Sequence, residues 1–438
     1  MNRKIIVRNV GPIKDEVTMV LNRINILIGQ QSVGKSTLAK IACYCSWVEK
    51  EISILQSPEL FEQEGYFVEN LEVFHKLNGF FNENSFISFS SDVLSFKYEK
   101  KKFDFQWGKK RWEYKRRKTL YIPAERNIVA VIPNWFEVKL EDNNTRSYLA
   151  DWEGVRKYHT GESPMPLVGA NKYYFNQSDK SDHIITSDGT DVLLKNASSG
   201  MQTLAPLQVL VKHYSEDFYE KKLYLKEDDI DYKKRLLNFG EKLRSHLLET
   251  ELTKKERETY FQDVKKYNEL YKDSTSPPFD TFLKIFFPNQ NFRDKFNSTM
   301  GKMWVMNSTA FFIEEPELNL YPSSQYELVR GLIELLHDKQ HTVFITTHSP
   351  YILTTLNNLI YAAETAKEHP NEVRKIVPEN LWVKKEDVSA WKLTENSVLE
   401  NLMSSEVAMV KAEEIDDISS TINDEFDRLF ELEQTDSL

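Results

Sequence analysis

Gly29-Gln30-Gln31-Ser32-Val33-Gly34-Lys35-Ser36-Thr37 fits the pattern G-x-x-x-x-G-K-[S/T], and its flanks supply the context that chance matches lack. Ile24-Asn25-Ile26-Leu27-Ile28 before it is an apolar run bounded by a glycine, which predicts a buried strand. Leu38-Ala39-Lys40-Ile41-Ala42-Cys43-Tyr44 after it has the composition of a helix. A strand, a glycine loop and a helix start gather successive backbone N–H groups and the positive end of a helix dipole around one anion. Lys35 then reaches the β- and γ-phosphates of a nucleoside triphosphate, and the Ser36 hydroxyl is placed to ligate Mg²⁺.

The rest of the chain provides room for a large core. It has 438 residues, 40% hydrophobic and 28% charged, as expected of a globular protein. A net charge of −10 argues against nucleic-acid binding over the whole surface, though not against a local basic patch. The two cysteines, Cys43 and Cys45, fall on the helix after the phosphate loop, point in nearly opposite directions and read as buried thiols. No signal-peptide core or membrane-length apolar run is visible, so a cytoplasmic protein with no membrane partner is expected.

Upstream, Lys4–Arg8 and Glu16–Val20 read as two strands around a Gly11-Pro12 turn. Residues 47–92 read as a mixture of helices and loops and carry no interpretable motif. In 97–118 eleven Lys/Arg face three acids, a local +8. Phe103, Phe105 and Trp107 alternate with polar residues before Gly108-Lys109, with Trp112 and Tyr114 beyond, which predicts a hairpin. Such a hairpin either follows a nucleic-acid backbone and stacks bases, or is a solvated sheet with aromatics packed on one face. Thr119–Ile122 is a strand ending at Pro123, with Glu125 and Arg126 at its exit, either as functional groups or as a structural ion pair. Residues 140–190 read as loop-rich, with short strands at 171–175 and 183–186.

Ala197-Ser198-Ser199-Gly200-Met201-Gln202 opens an amphipathic helix whose serines and free N–H groups make a second candidate phosphate binder, or simply a helix cap. Leu236, Leu243 and Leu247, then Tyr260, Val264, Tyr267 and Tyr271, have helical spacing. Thr253-Lys254-Lys255-Glu256 is a capping box between them, giving a helical hairpin of about 30 to 45 Å closed by Ser276-Pro277-Pro278.

Thr309–Ile313 is a second buried strand that delivers Glu314-Glu315-Pro316-Glu317 at its end. One carboxylate there can hold Mg²⁺ and its neighbour can polarise an attacking water. A third apolar strand, Val343–Thr347, ends at His348, which is placed to contact a γ-phosphate. Leu381–Val383 and Ala390–Leu393 read as strands, followed by an acidic helix with ten acids against two bases between Lys411 and Leu438.

Together the loop at 29–37, Ser-Ser-Gly-Met-Gln at 198–202, Glu314-Glu315-Pro316-Glu317-Leu318-Asn319-Leu320 and Thr347-His348-Ser349 resemble the ABC-type ATPases of the SMC/RecF/OLD group. Ile313–Pro322 and Tyr121–Arg126 are especially similar to OLD-type ATPases. The resemblance implies an α/β fold: an ABC-ATPase-type P-loop core with an antiparallel β subdomain and an inserted helical hairpin. The implied division is 1–214 (phosphate loop, basic hairpin, signature), 215–300 (helical insertion), 301–400 (Walker B and switch His) and 401–438 (acidic helix). It implies ATP and Mg²⁺ as cofactors, Ser36 and Glu314 as metal ligands, Glu315 as catalytic base and His348 as switch histidine. Leu318–Leu320 would be the D-loop. Ser198, Ser199, Gly200 and Gln202 would grip the ATP of a partner subunit, so a homo-oligomer, at least a dimer, is implied.

Three features depart from the pattern. The signature reads Ser-Ser-Gly where many relatives have Ser-Gly-Gly, Gln106 is the one residue offered as a Q-loop glutamine, and 113 residues (201–313) separate Gly200 from Glu314. The leading expectation is an ATPase whose ATP-driven association gates a separately encoded nuclease or toxin, as in anti-phage systems of the PARIS and Septu type. Only 90 residues follow His348, with Asp416-Asp417 in a helical pattern, so no nuclease is expected in the chain itself. A RecF-like DNA repair ATPase is the alternative, and a transporter energy subunit fits the long insertion poorly.

Overall fold

In the computed structural model the described residues are 3–132, 135, 138–220, 230–272, 283, 285–337, 340–404, 409–410 and 424–428. Fifteen strands are distributed over three sheets among them. The strands are β1 (Arg3–Arg8), β2 (Val17–Leu21), β3 (Ile24–Gly29), β4 (Phe86–Ser90), β5 (Leu94–Glu99), β6 (Lys102–Trp107), β7 (Arg117–Ile122), β8 (Met165–Pro166), β9 (Lys172–Asn176), β10 (Ser181–Ile185), β11 (Asp191–Leu193), β12 (Ser308–Glu314), β13 (Thr342–Thr347), β14 (Val388–Leu393) and β15 (Leu399–Asn401).

The central sheet has the order β15-β14-β3-β13-β12-β7, parallel except at its β14–β15 edge. Its inner strands are apolar runs because both faces are covered. Alternate residues divide between two cores. Ile26, Phe311, Ile313 and Ile345 face one, while Leu27, Phe312 and Phe344 face the other. The second core is closed by helix α1 (Lys35–Leu55) and by an antiparallel sheet, β2-β1-β4-β5-β6. The first is closed by α3 (Asn144–Arg156), α4 (Ser199–Lys212), α8 (Pro322–His337) and α9 (Pro350–Thr365). A small sheet, β11-β10-β9-β8, packs on that side. The fold is α/β, and the parallel register brings the ends of β3, β7, β12 and β13 to one edge of the central sheet.

Helices α5 (Ile230–Thr250) and α6 (Lys254–Leu270) form the expected hairpin, with Leu236, Leu243, Leu247 and Tyr260 buried. Its joint is the capping box: Glu256 N donates to Thr253 Oγ1 at 3.3 Å and Thr253 N to Glu256 Oε2 at 2.8 Å. A third helix, α7 (Gln290–Trp304), packs against α5. The 276–278 closure lies outside the described residues.

Several expectations need correction. The basic hairpin turns at Lys100-Lys101, between β5 and β6, and not at Gly108-Lys109. Both lysines have positive φ (50° and 62°), the backbone of a tight two-residue turn that Asn-Gly normally announces. Trp112 lies in a short 3₁₀ turn and stacks on His246 of α5. Phe103 meets Phe61, Phe67 and Phe96, and the Arg111 guanidinium lies 4.0 Å over the Trp107 ring. These aromatics are engaged within the protein, so of the two readings the packed sheet holds for them. Residues 379–381 are a 3₁₀ turn and no strand forms at 381–383. Helix α3 occupies part of the stretch read as loops, and strand β4 lies in the 47–92 stretch read as helices and loops, where α2 (Tyr66–His75) is one of the expected helices. Of the acidic C-terminal helix, only 424–428 are described, and they are helical. Cys43 and Cys45 are buried free thiols, and burial raises both pKa values.

No helix among the described residues is long and apolar enough to cross a membrane.

Candidate functional site: the carboxyl edge of the central sheet

β3 ends in the glycine loop and α1 starts at Lys35, with Gly34 at its N-cap in a left-handed conformation (φ 110°). A Cβ on Gly34 would lie 2.6 Å from Ile13 Cδ1, so both the backbone angle and the space exclude a larger residue. Ser32 also has positive φ, which folds the loop back over the helix start. Lys35 is 5% exposed and its Nζ donates to Gln30 O at 2.6 Å, inside the loop itself. Burial lowers its pKa to about 8, against the raising influence of Glu315, Glu317 and Glu314. Lys35 thus feels the charge of three carboxylates at and just beyond the end of β12.

Glu314 closes β12 and is 5% exposed. Its Oε1 accepts a short hydrogen bond from Tyr121 Oη, and its Oε2 accepts from Ala124 N at 3.2 Å. Glu315 follows with positive φ (43°), an unfavourable backbone for a glutamate. It is fixed from two sides: its N–H donates to Thr346 O at 2.8 Å and its carbonyl accepts from Arg126 Nη2 at 2.8 Å. Glu315 Oε1 lies 3.3 Å from His348 Nε2, and both side chains remain about a quarter exposed (28% and 25%). Glu317 Oε1 accepts from Thr347 Oγ1 at 2.8 Å and from His348 N at 2.7 Å, which ties the two strand exits together. Its Oε2 is buried and has no partner among the described residues.

In the sequence Arg126 is a strand-exit residue within the Tyr121–Arg126 string, with an ion pair to Glu125 as one option. It is fully buried, and instead of an ion pair it spans backbone carbonyls: Glu314 O at 2.9 Å, Glu315 O at 2.8 Å, Pro316 O at 3.3 Å and Thr203 O at 3.0 Å. A rigid planar guanidinium suits this, since its five donors diverge in one plane. It joins the strand-end turn to helix α4. Replacing Arg126 by Met would leave buried carbonyls without donors, and the expected loss of stability is at least ~3 kcal/mol. Urea unfolding followed by circular dichroism measures it; an unchanged midpoint would show that the carbonyls find other donors.

Residues 198–202 sit at the start of α4. Ser198 is its N-cap, and its Oγ accepts from Met201 N at 3.4 Å. Gly200 is pressed against the loop after Glu317, where a Cβ would lie 2.8 Å from Asn319 O. Thr203 Oγ1 donates to Leu318 O at 3.0 Å. The segment thus meets the 318–319 loop. Gln202 has a local role, its Nε2 donating to Lys195 O and Ala197 O at 3.0 Å each. Gln106 lies on β6, in the other sheet, opposite Ser95. The residue exiting β7 beside Glu314 is Ala124, followed by exposed Glu125.

The sequence reading missed Tyr121, Glu317 and Thr347 as supports, although Tyr121–Arg126 and Glu317 stand inside strings already singled out. Ser36, Glu314 and the unpartnered Glu317 Oε2 suit a divalent cation that keeps most of its other ligands from water and phosphate. No group of three or more His, Cys, Asp or Glu that could hold a metal occurs among the described residues.

Residues 305–353 match a family described as an AAA ATPase domain. No curated protein sequence matches the chain. Among solved structures, it is similar to the SMC head domain from Thermotoga maritima, at 7% identity over 81% of this chain and 91% of that one, with a TM-score of 0.33. It is similar to an Smc head domain from Pyrococcus furiosus bound to the C-terminal domain of ScpA, at 6% identity over 96% and 99%, TM-score 0.35. It is also similar to the recombination mediator protein RecF of the RecFOR pathway, at 11% identity over 92% and 98%, TM-score 0.29. The stretch similar to the ATPase domain runs from the start of β12 into α9 and contains Glu314, Glu315, Glu317 and His348.

Proposed function

We propose that the chain binds ATP at Gly29–Thr37 and hydrolyses it. The observation that carries this reading is the loop between β3 and α1 with Lys35 Nζ held inside it, at the same end of the parallel sheet where β12 delivers Glu314 and Glu315. Lys35 neutralises the γ-phosphate, and the N–H groups of the loop hold the phosphate oxygens. Ser36 and Glu314 would hold Mg²⁺, which when bound supplies positive charge at the β- and γ-phosphate oxygens. Glu315 orients the attacking water and accepts its proton, while His348, 3.3 Å away, fixes the carboxylate and faces the γ-phosphate.

The binding half of this reading is tested by pH. A lysine with pKa near 8 in the free protein gains charge stabilisation on meeting phosphate, so its pKa rises in the complex. ATP affinity is therefore expected to be level from pH 7.0 to 7.5 and to fall above pH 8, approaching tenfold per pH unit. Equilibrium titration with a fluorescent ATP analogue measures it; level affinity to pH 9.5 would remove Lys35 from the phosphate.

The start of α4, Ser198-Ser199-Gly200, is read as the group that completes the site of a second copy of the chain, with Leu318–Leu320 beside it. The proposed dimer is head to tail, with ATP between the subunits. The helical hairpin is read as the contact for a separate effector. Two features support this: α5 grips α1 through Arg235–Glu51 (2.6 Å) and Lys242–Leu55 O (3.0 Å), and the hairpin exposes Leu237, Phe261 and Leu270. Anti-phage defence with a nuclease or toxin effector rests on the resemblance at 313–322. Co-expression with neighbouring genes under phage challenge tests it: loss of protection in Glu315→Gln supports it, and unchanged protection opposes it.

A RecF-like DNA-binding reading is favoured by one observation, the exposed Lys100, Lys101, Lys102, Lys109 and Lys110 around β6. Steeply salt-dependent DNA binding that is lost on neutralising these lysines would select it.

A further inference from the structure

Alongside the middle of α1, and separate from the phosphate loop at its start, α1, α2, α3 and β7 enclose a cavity of about 340 Å³. Nothing in the proposed ATP chemistry uses it. Tyr44, Trp47 and Phe74 give it aromatic surface, and the ammonium-bearing Lys50 and Lys118 line it as well. Lys118 is held by Asp151 at 2.7 Å, whereas Lys50 stands 3.8 Å from Glu51, too long for a hydrogen bond.

Three further lining residues carry a buried polar atom without a partner among the described residues: His75 Nδ1, Thr119 Oγ1 and Asn144 Oδ1. His75 and Asn144 are 1% and 3% exposed. Buried polar atoms are ordinarily paired, and three unpaired ones around one cavity mark a place prepared for a polar occupant. Burial holds His75 neutral, with its pKa near 3, so it adds no positive charge here. Burial also lowers the Lys50 pKa; Glu51 opposes this, and Lys118 and Arg116 add to it by repulsion. An anion beside Lys50 would relieve that crowding.

Size narrows the class. Ligand pockets span roughly 300–1,000 Å³, so this one takes a small molecule and excludes a dinucleotide. Aromatic surface suits a planar ring, the unpaired amide and hydroxyl suit the polar edge of a base, and two ammonium groups suit one phosphate.

We propose that this cavity is a second ligand site, specific for a small planar anion of the nucleoside monophosphate class. Its wall includes Tyr121, whose hydroxyl donates to Glu314, so an occupant touches the residue that holds the Walker B carboxylate.

The test is calorimetric titration of the full chain with AMP, GMP, CMP and UMP in turn, with adenosine and inorganic phosphate as separate arms. At least one monophosphate is expected to bind, and at least ~tenfold more tightly than adenosine or phosphate alone. Lys50→Met should weaken that binding at least ~tenfold. Ser147→Trp, an exposed change on the cavity lining that leaves the core untouched, should do the same. Neither variant alters the phosphate loop, so binding retained at full strength in both would place the ligand there and overturn the proposal. So would the absence of binding by all four monophosphates, or equal binding of adenosine and its monophosphate.

Discussion

Glu315→Gln is expected to bind ATP as tightly as the parental protein and to hydrolyse it at least ~100-fold more slowly. Glutamine keeps the size of the side chain and can still meet His348 Nε2, now 3.3 Å from Glu315 Oε1. What it removes is the basic carboxylate, and general bases contribute about 10²–10⁴ to rate. The backbone at 315 should survive, because its positive φ is supported by backbone bonds to Thr346 O and Arg126, which the substitution leaves in place. ATP should therefore remain bound and the assembled form should accumulate, visible by size-exclusion chromatography with light scattering in ATP and Mg²⁺. An equal slowing with no ATP retained would instead mean a damaged fold or metal site, and parental turnover would exclude Glu315 as the base.

Lys35→Ala should have a comparable effect by a different route. Lys35 is the charged group buried within the phosphate loop, where its Nζ already occupies the loop interior against Gln30 O. Losing a preorganised charge aimed at a transferring phosphoryl group costs about 10²–10³ in kcat. ATP affinity should fall as well, since the charge acts on the ground state too. The two variants are thus separated by one observation, retention of nucleotide. Hydrolysis by Lys35→Ala at the parental rate would show that Gly29–Thr37 is not the phosphate site.

The contrast between these two residues and Arg126 shows what a linear sequence discloses. Lys35, Glu314 and Glu315 stand out in the sequence because each lies where an apolar strand ends, Lys35 after a glycine loop and the two glutamates directly before Pro316. The same held for the α5–α6 hairpin, whose joint is announced by Thr253 and Glu256. Arg126 works on carbonyls 77 and 188 to 190 residues away, and no spacing rule reaches that far. The Lys100-Lys101 turn was hidden because lysines there adopt the left-handed backbone without the glycine or asparagine that usually signals it. Helix α3 was hidden by its surroundings. Asn143 caps it with a side chain that accepts from Thr145 N and Arg146 N, but Gly161, Pro164 and Pro166 nearby read as loop. Nothing in the Glu-Glu-Pro-Glu string itself marks Glu317 as a support. Its bonds to Thr347 and His348 exist only because β12 and β13 are parallel neighbours.

If, as proposed, Ser198-Ser199-Gly200 acts on the ATP of another subunit, two inactive variants should complement each other when mixed. Ser199→Arg places a bulky cation where the γ-phosphate of the partner's ATP would sit, so closure should fail while ATP binding persists. In a mixed dimer with Lys35→Ala, one composite site carries both lesions and the other carries neither. Once subunit exchange is confirmed, ATPase rate plotted against mixing ratio should rise from near zero for each pure variant to a maximum near equal mixing. Parental activity in Ser199→Arg alone would contradict the claim outright, leaving the start of α4 as an ordinary helix cap.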